Sequence, residues 1–201
     1  MKTLVIVDLQ NDFMPGGALA VPGGDSIVPV INGIIDRFDL VVATQDWHPA
    51  NHMSFASSHQ AKKAFETIEW QGLEQVLWPD HCVIGSDGAT FHNDLSTGRI
   101  EAIFRKGVEI DIDSYSGFYD NGRRKSTGLA GYLRERGAEE LWFCGLAADY
   151  CVRYTIEDAL SEGFKAVLLE DATRPIERSA FDEVRRNLAE AGCHIALSES
   201  L

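Results

Sequence analysis

The sequence is poor in basic side chains. Lys and Arg number 18 against 31 Asp and Glu, which gives a formal net charge of −13. This charge would repel a phosphate backbone and an anionic lipid surface, so it argues against nucleic acid and membrane partners. Long apolar runs are also absent, since no stretch approaches the roughly 20 apolar residues that a membrane span needs. Asp8 interrupts the first apolar run and no small-residue cleavage site follows, so we expect no signal peptide.

Cysteine is scarce, and two common catalytic motifs are missing. The four cysteines lie at irregular spacings without a C-x-x-C pair. This argues against a disulfide framework and favours a reducing, cytoplasmic location. No G-x-S-x-G nucleophile elbow occurs, and GFYDNGRRKSTG lacks the glycine spacing of a phosphate-binding loop. We therefore interpret its basic residues 123–125 as a solvated charge run.

The apolar residues that are present fall into short β-branched runs separated by amphipathic stretches. With 45% hydrophobic residues the chain can bury one large core, and we predict a single domain over residues 1–201. The alternation indicates an α/β fold, a three-layer αβα sandwich with a six-stranded, mainly parallel sheet in the order 3-2-1-4-5-6. The predicted strands are Thr3–Val7, Leu40–Thr44, Ile100–Phe104, Leu141–Cys144, Ala166–Leu169 and His194–Leu197.

Helices are predicted from cap residues that precede amphipathic stretches. Their approximate ranges are 25–37, 129–136, 151–162 and 181–191, with Asp25 or Ser26, Ser126 or Thr127, and Ser179 as N-caps. A long polar segment at about 46–98 breaks the alternation and carries five of the six histidines. A long irregular insert in a compact domain is usually functional or disordered, and its three tryptophans argue against disorder.

In doubly wound sheets ligands bind beyond the carboxyl ends of the strands, where the strand order reverses. Asp8 follows the first predicted strand, Lys106 the third, and Cys151 the fourth. Taken alone, each has an ordinary interpretation: a turn-capping carboxylate, a surface lysine and a buried structural cysteine. Together they form an acid, a cation and a nucleophile, and we expect the lysine and the helix start at Cys151 to lower the thiol pKa.

The second predicted strand leads into QDWHPANHMSF, where Asp46 and His48 stand two residues apart. On an extended backbone both side chains point the same way. His81 in WPDHC offers a third ligand, and His52 is a further candidate, with a hydrogen-bonded surface histidine as the alternative. Oxygen and imidazole nitrogen together suit Zn²⁺, Mn²⁺ or Fe²⁺, with Zn²⁺ favoured. Cys82 would also suit zinc, but we expect it to pack inward.

These motifs together carry a family resemblance. VDLQNDFMPGGAL, QDWHPANHMSF, WPDHC, FRKG, SYSGFYDN and GLAADYCV occur in this order over about residues 5–155. As a set they resemble the nicotinamidases, the amidohydrolase branch of the isochorismatase-like superfamily, whose three-layer αβα fold the remaining strands also fit. The isochorismatase and carbamoylamidase branches lack the Asp-x-His and His metal set by this resemblance, so its presence favours the nicotinamidase branch.

The resemblance assigns roles position by position. It implies a catalytic triad of Asp8, Lys106 and Cys151, and metal ligands Asp46, His48 and His81. It also implies an oxyanion hole formed by the backbone N–H groups of Ala147 and Cys151, and a cis peptide bond between Leu146 and Ala147. The residues expected to line the ring of the substrate are Phe13, Trp78 and Tyr115.

The activity implied by the resemblance is hydrolysis of nicotinamide to nicotinate and ammonia through a Cys151 thioester, with one divalent metal ion and with pyrazinamide as a further substrate. The alternative within the family is another small amide or an isochorismate-like substrate. From another class, a non-catalytic zinc-binding redox sensor would oxidise Cys151, but the sequence offers no obvious resolving cysteine. A homo-oligomer is compatible with a soluble enzyme of this kind.

Overall fold

The computed structural model describes residues 1–201 and contains eight strands and four α-helices. The strands are β1 (Lys2–Val7), β2 (Leu40–Asp46), β3 (Thr67–Trp70), β4 (Leu73–Val76), β5 (Ala102–Lys106), β6 (Glu140–Leu146), β7 (Lys165–Arg174) and β8 (His194–Ala196). The helices are α1 (Val28–Ile34), α2 (Leu129–Glu135), α3 (Cys151–Ser161) and α4 (Arg178–Glu190). None of these helices has the length and apolar character to cross a membrane.

The main sheet has six strands in the order β5-β2-β1-β6-β7-β8, and every pairing is parallel. Without the separate antiparallel hairpin of β3 and β4, this is the predicted order 3-2-1-4-5-6, which is confirmed. The central strands are buried on both faces because helices cover each of them. The carboxyl ends of β1, β2, β5 and β6 consequently meet at one edge of the sheet.

Two hydrophobic clusters, one on each face of the sheet, make the three layers. Leu4 and Ile6 of β1 pack in the cluster that contains α1, whereas Val5 and Val7 pack in the cluster that contains α2, α3 and α4. This split follows from the strand period of two, which sends successive side chains to opposite faces. The predicted αβα sandwich is therefore confirmed.

Two helix starts differ from the prediction. The first helical stretch opens with a short 3-10 turn, and α1 itself begins at Val28, so neither Asp25 nor Ser26 caps it; the Ser26 hydroxyl instead donates to Gly23 O. Helix α4 begins at Arg178, three residues earlier than predicted. Its N-cap is Glu177, whose carboxylate accepts a hydrogen bond from the Ser179 backbone N–H.

Candidate active site and metal centre

The side chains of Asp8, Asp46, Lys106 and Cys151 lie together at the carboxyl edge of the sheet. Asp8 follows β1, Asp46 and Lys106 end the neighbouring β2 and β5, and Cys151 begins α3 after β6. All four residues are buried. The structure thus brings the three predicted triad positions into one cluster with a predicted metal ligand.

The Lys106 ammonium is the centre of this cluster. Its Nζ lies 2.9 Å from Asp8 Oδ2, 3.0 Å from Asp46 Oδ1 and 3.4 Å from Cys151 Sγ. It also donates to the Ser114 carbonyl oxygen at 2.8 Å. Burial alone would lower the pKa of Lys106, but Asp46 and Asp8 outweigh it and raise that pKa well above its usual value. The ammonium therefore remains charged.

The two carboxylate oxygens of Asp8 have different partners. The Thr44 hydroxyl donates to Asp8 Oδ1 at 2.6 Å. The other oxygen, Oδ2, has its ion pair with Lys106 and no further hydrogen-bond donor. Burial raises the pKa of Asp8; Lys106 opposes this shift and Asp46 adds to it, so the net shift is upward. A raised pKa suits a carboxylate that accepts and returns a proton.

The pKa of the Cys151 thiol is raised, contrary to the expectation of a lowered pKa. Burial raises the pKa of Cys151 and Lys106 lowers it, but Asp8 and Asp46 raise it further, so the net shift is well upward. The expectation counted the lysine and the helix start, and it left out the burial of the thiol, which is the largest cause, and the charge of Asp46. Cys151 consequently needs a base at the moment of attack, and the open oxygen of Asp8 is the nearby candidate.

Two backbone N–H groups beside the thiol are free. The peptide bond between Leu146 and Ala147 is cis, as the resemblance implied. Neither the Ala147 N–H nor the Cys151 N–H donates a hydrogen bond within the protein, whereas the Tyr150 and Val152 N–H groups both donate to Ala147 O at 3.1 Å. A pair of unused donors at a helix start is the arrangement that stabilises a developing oxyanion.

The predicted metal ligands also converge. Asp46 Oδ2 lies 3.0 Å from His48 Nε2 and 3.3 Å from His81 Nε2, and all three residues are buried. His48 Nδ1 lies 2.9 Å from Gly107 O, and His81 Nδ1 lies 2.7 Å from Pro79 O. Because carbonyl oxygens only accept hydrogen bonds, each Nδ1 is a donor, and the Nε2 atom of each ring faces the carboxylate oxygen of Asp46.

A carboxylate oxygen and two imidazole nitrogens that converge in this way form a donor set that fits a divalent metal ion. Burial would raise the pKa of Asp46, but His48 and Lys106 hold it well below its usual range. Burial would lower the pKa of His48, and Asp46 raises it on balance.

His52 lies beside this group, and both of its ring nitrogens have partners within the protein. Its Nδ1 accepts a hydrogen bond from the Ser54 backbone N–H at 3.2 Å and lies 2.7 Å from the Ser54 hydroxyl. Nε2 therefore carries the proton and faces Ile112 O at 3.3 Å. The His52 ring packs against the His48 ring at a centroid distance of 4.3 Å. This geometry favours a supporting role over that of a fourth ligand. Cys82 packs inward as expected and is fully buried.

A pocket of about 340 Å³ opens onto Cys151 and the metal-ligand group. All three predicted ring-binding residues lie in its wall. Sequence reasoning missed Leu19, Asp113, Tyr150 and Ile176. Tyr150 was detectable, because it precedes the nucleophile and so must lie near it; its ring packs on Trp78 at 4.9 Å and on Tyr115 at 5.5 Å. The lining residues are Phe13, Leu19, Asp46, Trp78, His81, Asp113, Tyr115, Ala147, Tyr150, Cys151 and Ile176.

Comparison with known proteins places the chain in a family. The family model for the isochorismatase domain matches residues 2–200. The nicotinamidase of Escherichia coli is 50% identical over 179 residues, which cover 87% of this chain and 84% of that protein. The nicotinamidase of Acinetobacter baylyi is 48% identical over 174 residues, 87% of this chain and 81% of that protein.

Solved structures show the same relationship. A nicotinamidase/pyrazinamidase of Acinetobacter baumanii has a TM-score of 0.96 and 44% identity over 99% of this chain and 97% of that chain. The L. infantum protein in complex with nicotinate has a TM-score of 0.89 and 41% identity over 100% and 94%. The pyrazinamidase of Pyrococcus horikoshii in complex with zinc has a TM-score of 0.81 and 38% identity over 98% of each chain. The chain therefore belongs to the isochorismatase family and, within it, to the nicotinamidases.

Proposed function

We propose that this protein is a metal-dependent amidohydrolase that converts nicotinamide to nicotinate and ammonia through a thioester on Cys151. The observation that carries the proposal is the shared ammonium of Lys106, which joins a thiol and an open carboxylate oxygen at the base of an aromatic pocket. The named activity of relatives at 48% and 50% identity supports the same substrate.

In the first half-reaction Cys151 Sγ attacks the carboxamide carbon while its proton moves to Asp8 Oδ2. The new S–C bond pushes the carbonyl electron pair onto oxygen, and the Ala147 and Cys151 N–H groups donate hydrogen bonds to that oxyanion. Lys106 keeps the site neutralised while the proton moves. Asp8 then gives the proton to the amide nitrogen, the C–N bond breaks, and ammonia leaves an acylated Cys151.

In the second half-reaction water attacks the thioester carbon and passes its proton to Asp8. The same two N–H groups stabilise the second oxyanion. The C–S bond breaks, the sulfur recovers the proton from Asp8, and the product leaves as nicotinic acid, whose carboxyl proton passes to water to give nicotinate. One carboxylate therefore serves as base and acid in each half. Asp8 Oδ2 is the oxygen that can do so, because Lys106 Nζ is its only close partner, whereas Oδ1 accepts from the Thr44 hydroxyl.

Asp46, His48 and His81 would hold the metal ion, with Zn²⁺ favoured over Mn²⁺ and Fe²⁺. His81 and Asp46 also line the pocket, so a ligand ring enters beside them. When bound, such an ion supplies a Lewis acid for the pyridine nitrogen, which would orient the ring. The zinc complex of the related pyrazinamidase supports this ion. Pyrazinamide offers a ring nitrogen in the same position, so we propose it as a second substrate.

The test is the release of ammonia from nicotinamide by purified protein. Three samples are compared with wild type: Cys151→Ala, Cys144→Ala, and protein treated with a chelator and then reloaded with single metals. Cys144 is a matched control, since it is a buried free cysteine inside β6.

We expect loss of turnover in Cys151→Ala, normal turnover in Cys144→Ala, and loss on chelation that one metal restores. A nicotinoyl adduct on Cys151, trapped by acid quench and detected by mass spectrometry, would support the thioester. Normal turnover by Cys151→Ala would rule out the mechanism, and no turnover by metal-loaded wild type would rule out the substrate.

A further inference from the structure

The backbone ladder between β1 and β2 stops before the site, and side chains continue it. Backbone pairing runs from Thr3 with Leu40 to Ile6 with Ala43. At Asp8 the chain turns away with a φ of 45°, so it no longer faces β2. Beyond this point the hydroxyl of Thr44 accepts from the Asp8 N–H at 3.2 Å.

At Asp46, the last residue of β2, the side chain of Gln10 makes the hydrogen bonds that the backbone of β1 no longer makes. Its Oε1 accepts a hydrogen bond from the Asp46 N–H at 2.8 Å, and its Nε2 donates to Asp46 O at 2.8 Å. Nε2 also donates to Ala89 O at 2.9 Å. The side-chain amide thus bonds both backbone groups of Asp46 as a neighbouring strand would, with both of its N–H groups in use. Gln10 is fully buried.

The position of the Asp46 backbone matters because both of its carboxylate oxygens have partners in the site. Its Oδ1 meets Lys106 Nζ at 3.0 Å, while its Oδ2 meets the Nε2 atoms of His48 and His81 at 3.0 and 3.3 Å. A rotation of the Asp46 backbone would move both oxygens at once. Its position therefore decides the arrangement of the triad and of the metal ligands together.

We propose that Gln10 is a positioning residue that fixes Asp46, and through it couples the triad to the metal centre. This rests on the proposed function in taking Asp46 as a metal ligand. Gln10 touches neither the substrate pocket nor the reacting atoms, so its effect passes through Asp46. Loss of supporting hydrogen bonds around a metal ligand typically lowers metal affinity about 10- to 100-fold.

Gln45 provides a matched control for Gln10. It is also a buried glutamine, and its Nε2 also donates to Ala89 O, at 3.0 Å. Its Oε1 accepts from Arg105 Nε, and its side chain makes no hydrogen bond to the Asp46 backbone. Substitution of Gln45 therefore removes a buried amide and the shared Ala89 contact, but leaves Asp46 held.

The experiment compares Gln10→Met, Gln10→Glu and Gln45→Met with wild type. Methionine keeps the volume of glutamine and removes its hydrogen bonds. Glutamate keeps the acceptor for the Asp46 N–H but turns an acceptor oxygen towards the Asp46 and Ala89 carbonyls. Measurements are Co²⁺ affinity by competition with a chelator, the visible absorption of bound Co²⁺, kcat and KM for nicotinamide, and unfolding in urea.

We expect Gln10→Met and Gln10→Glu to bind Co²⁺ about 10- to 100-fold more weakly, with an altered absorption spectrum. We expect kcat/KM to fall about 10²-fold, mainly through kcat, because a small displacement of a reacting group has that effect. Gln45→Met should match wild type in Co²⁺ affinity and spectrum.

Wild-type Co²⁺ affinity and spectrum in either folded Gln10 variant would overturn the proposal, and so would an equal loss in Gln45→Met. Gln10→Glu stays informative if Gln10→Met does not fold, because it conserves shape and polarity. Wild type that binds Co²⁺ but releases no ammonia would contradict the proposed function, while the Co²⁺ comparison would still decide the role of Gln10.

Discussion

The buried charge of Lys106 is stabilised by two ion pairs. The side chain is completely buried, and two carboxylates compensate the loss of hydration. An ammonium that lost both would be unstable in this place, and two carboxylates that lost the ammonium would be equally so. The same contacts therefore serve folding and chemistry, and the site cannot be altered at Lys106 without a cost in stability.

Lys106→Met is expected to destabilise the fold by about 3–5 kcal/mol at pH 7, because it leaves Asp8 and Asp46 buried without their shared cation. The loss should shrink as the pH falls and the two carboxylates become protonated. Urea unfolding at pH 7 and pH 5 measures both effects. Lys165→Met, at an exposed lysine, is the control and should change stability by less than about 0.5 kcal/mol. Equal stability of the two variants would contradict this account.

The buried His52 is expected to make the free energy of unfolding depend on pH. Burial and, to a smaller extent, the neighbouring His48 lower the pKa of His52 to about 4. The unfolded chain takes up a proton near the ordinary pKa of about 6.5, and the folded chain does so only near 4. Between these values the unfolded state binds more protons, so stability falls as the pH falls from about 6.5 towards 4.

The measurement is the free energy of unfolding of wild type and His52→Gln at intervals over that pH range. We expect wild type to lose up to about 3 kcal/mol more than the variant, from the linkage of one proton. His194→Gln is the control, since His194 is exposed. Identical pH slopes for wild type and His52→Gln would show that His52 is not held neutral by the fold.

Among the secondary-structure elements, the end of β5 is shaped around His48, one of the proposed metal ligands. Gly107 follows β5 with a φ of +64°, and its carbonyl oxygen accepts from His48 Nδ1. A Cβ at this position would lie 2.4 Å from His48 Cε1. The glycine after Lys106 therefore lets the two strands β2 and β5 present a ligand and a cation side by side.

Gly107→Ala should push the His48 ring aside and weaken metal binding about 10- to 100-fold. Gly137→Ala separates this effect from backbone strain. Gly137 has a similar φ of +71°, but a Cβ there meets nothing within 4 Å. Both variants should lose about 1 kcal/mol from the strained φ, and only Gly107→Ala should lose metal affinity in a chelator competition. Equal affinities would contradict a steric role for Gly107.

The start of α4 and the β3–β4 hairpin show where local sequence patterns fail to predict the structure. The predicted start of α4 was three residues late because Glu177, an uncommon N-cap, supplies the capping carboxylate. The hairpin of β3 and β4 was missed because its residues are mostly half-exposed and place Glu69 opposite Glu74, a pairing that local patterning does not favour. The apolar runs of β1, β2, β6 and β7 are largely buried on both faces, which is why these strands were found, whereas the edge strands β5 and β8 were found from short apolar runs that are partly exposed.

For the whole molecule, the proposed metal ligands join the sheet to the long insert. Asp46 and His48 come from the end of β2, whereas His81 comes from the segment after β4. We propose that the insert at about 46–98 belongs to the same folding unit as the sheet, which makes the chain one domain. An ion held by all three residues would stabilise this junction by mass action.

Chelation is expected to lower the midpoint of thermal unfolding and to raise amide hydrogen exchange in residues 79–84. The free energy of unfolding should fall by about 2.7 kcal/mol when the metal removed was present at 100 times its Kd. Scanning calorimetry and exchange detected by mass spectrometry measure the two effects, with peptides from α4 and β8 as the internal control. An unchanged midpoint, or increased exchange that is uniform over the chain, would contradict the proposal that the ion stabilises the junction between the sheet and the insert.

The six strands of the main sheet, their alternation with helices and the polar residues at the strand ends could be predicted from the sequence alone, because the periods of strand and helix are local properties of the chain. The motifs around Asp8, Asp46, Lys106 and Cys151 also indicated the family. The tertiary structure was needed to show that Asp46 divides its two oxygens between the ammonium and the histidines, that burial raises the pKa of Cys151, and that Gln10 takes the place of a strand. These features depend on burial and on distances between residues far apart in the chain, and no local pattern contains either quantity.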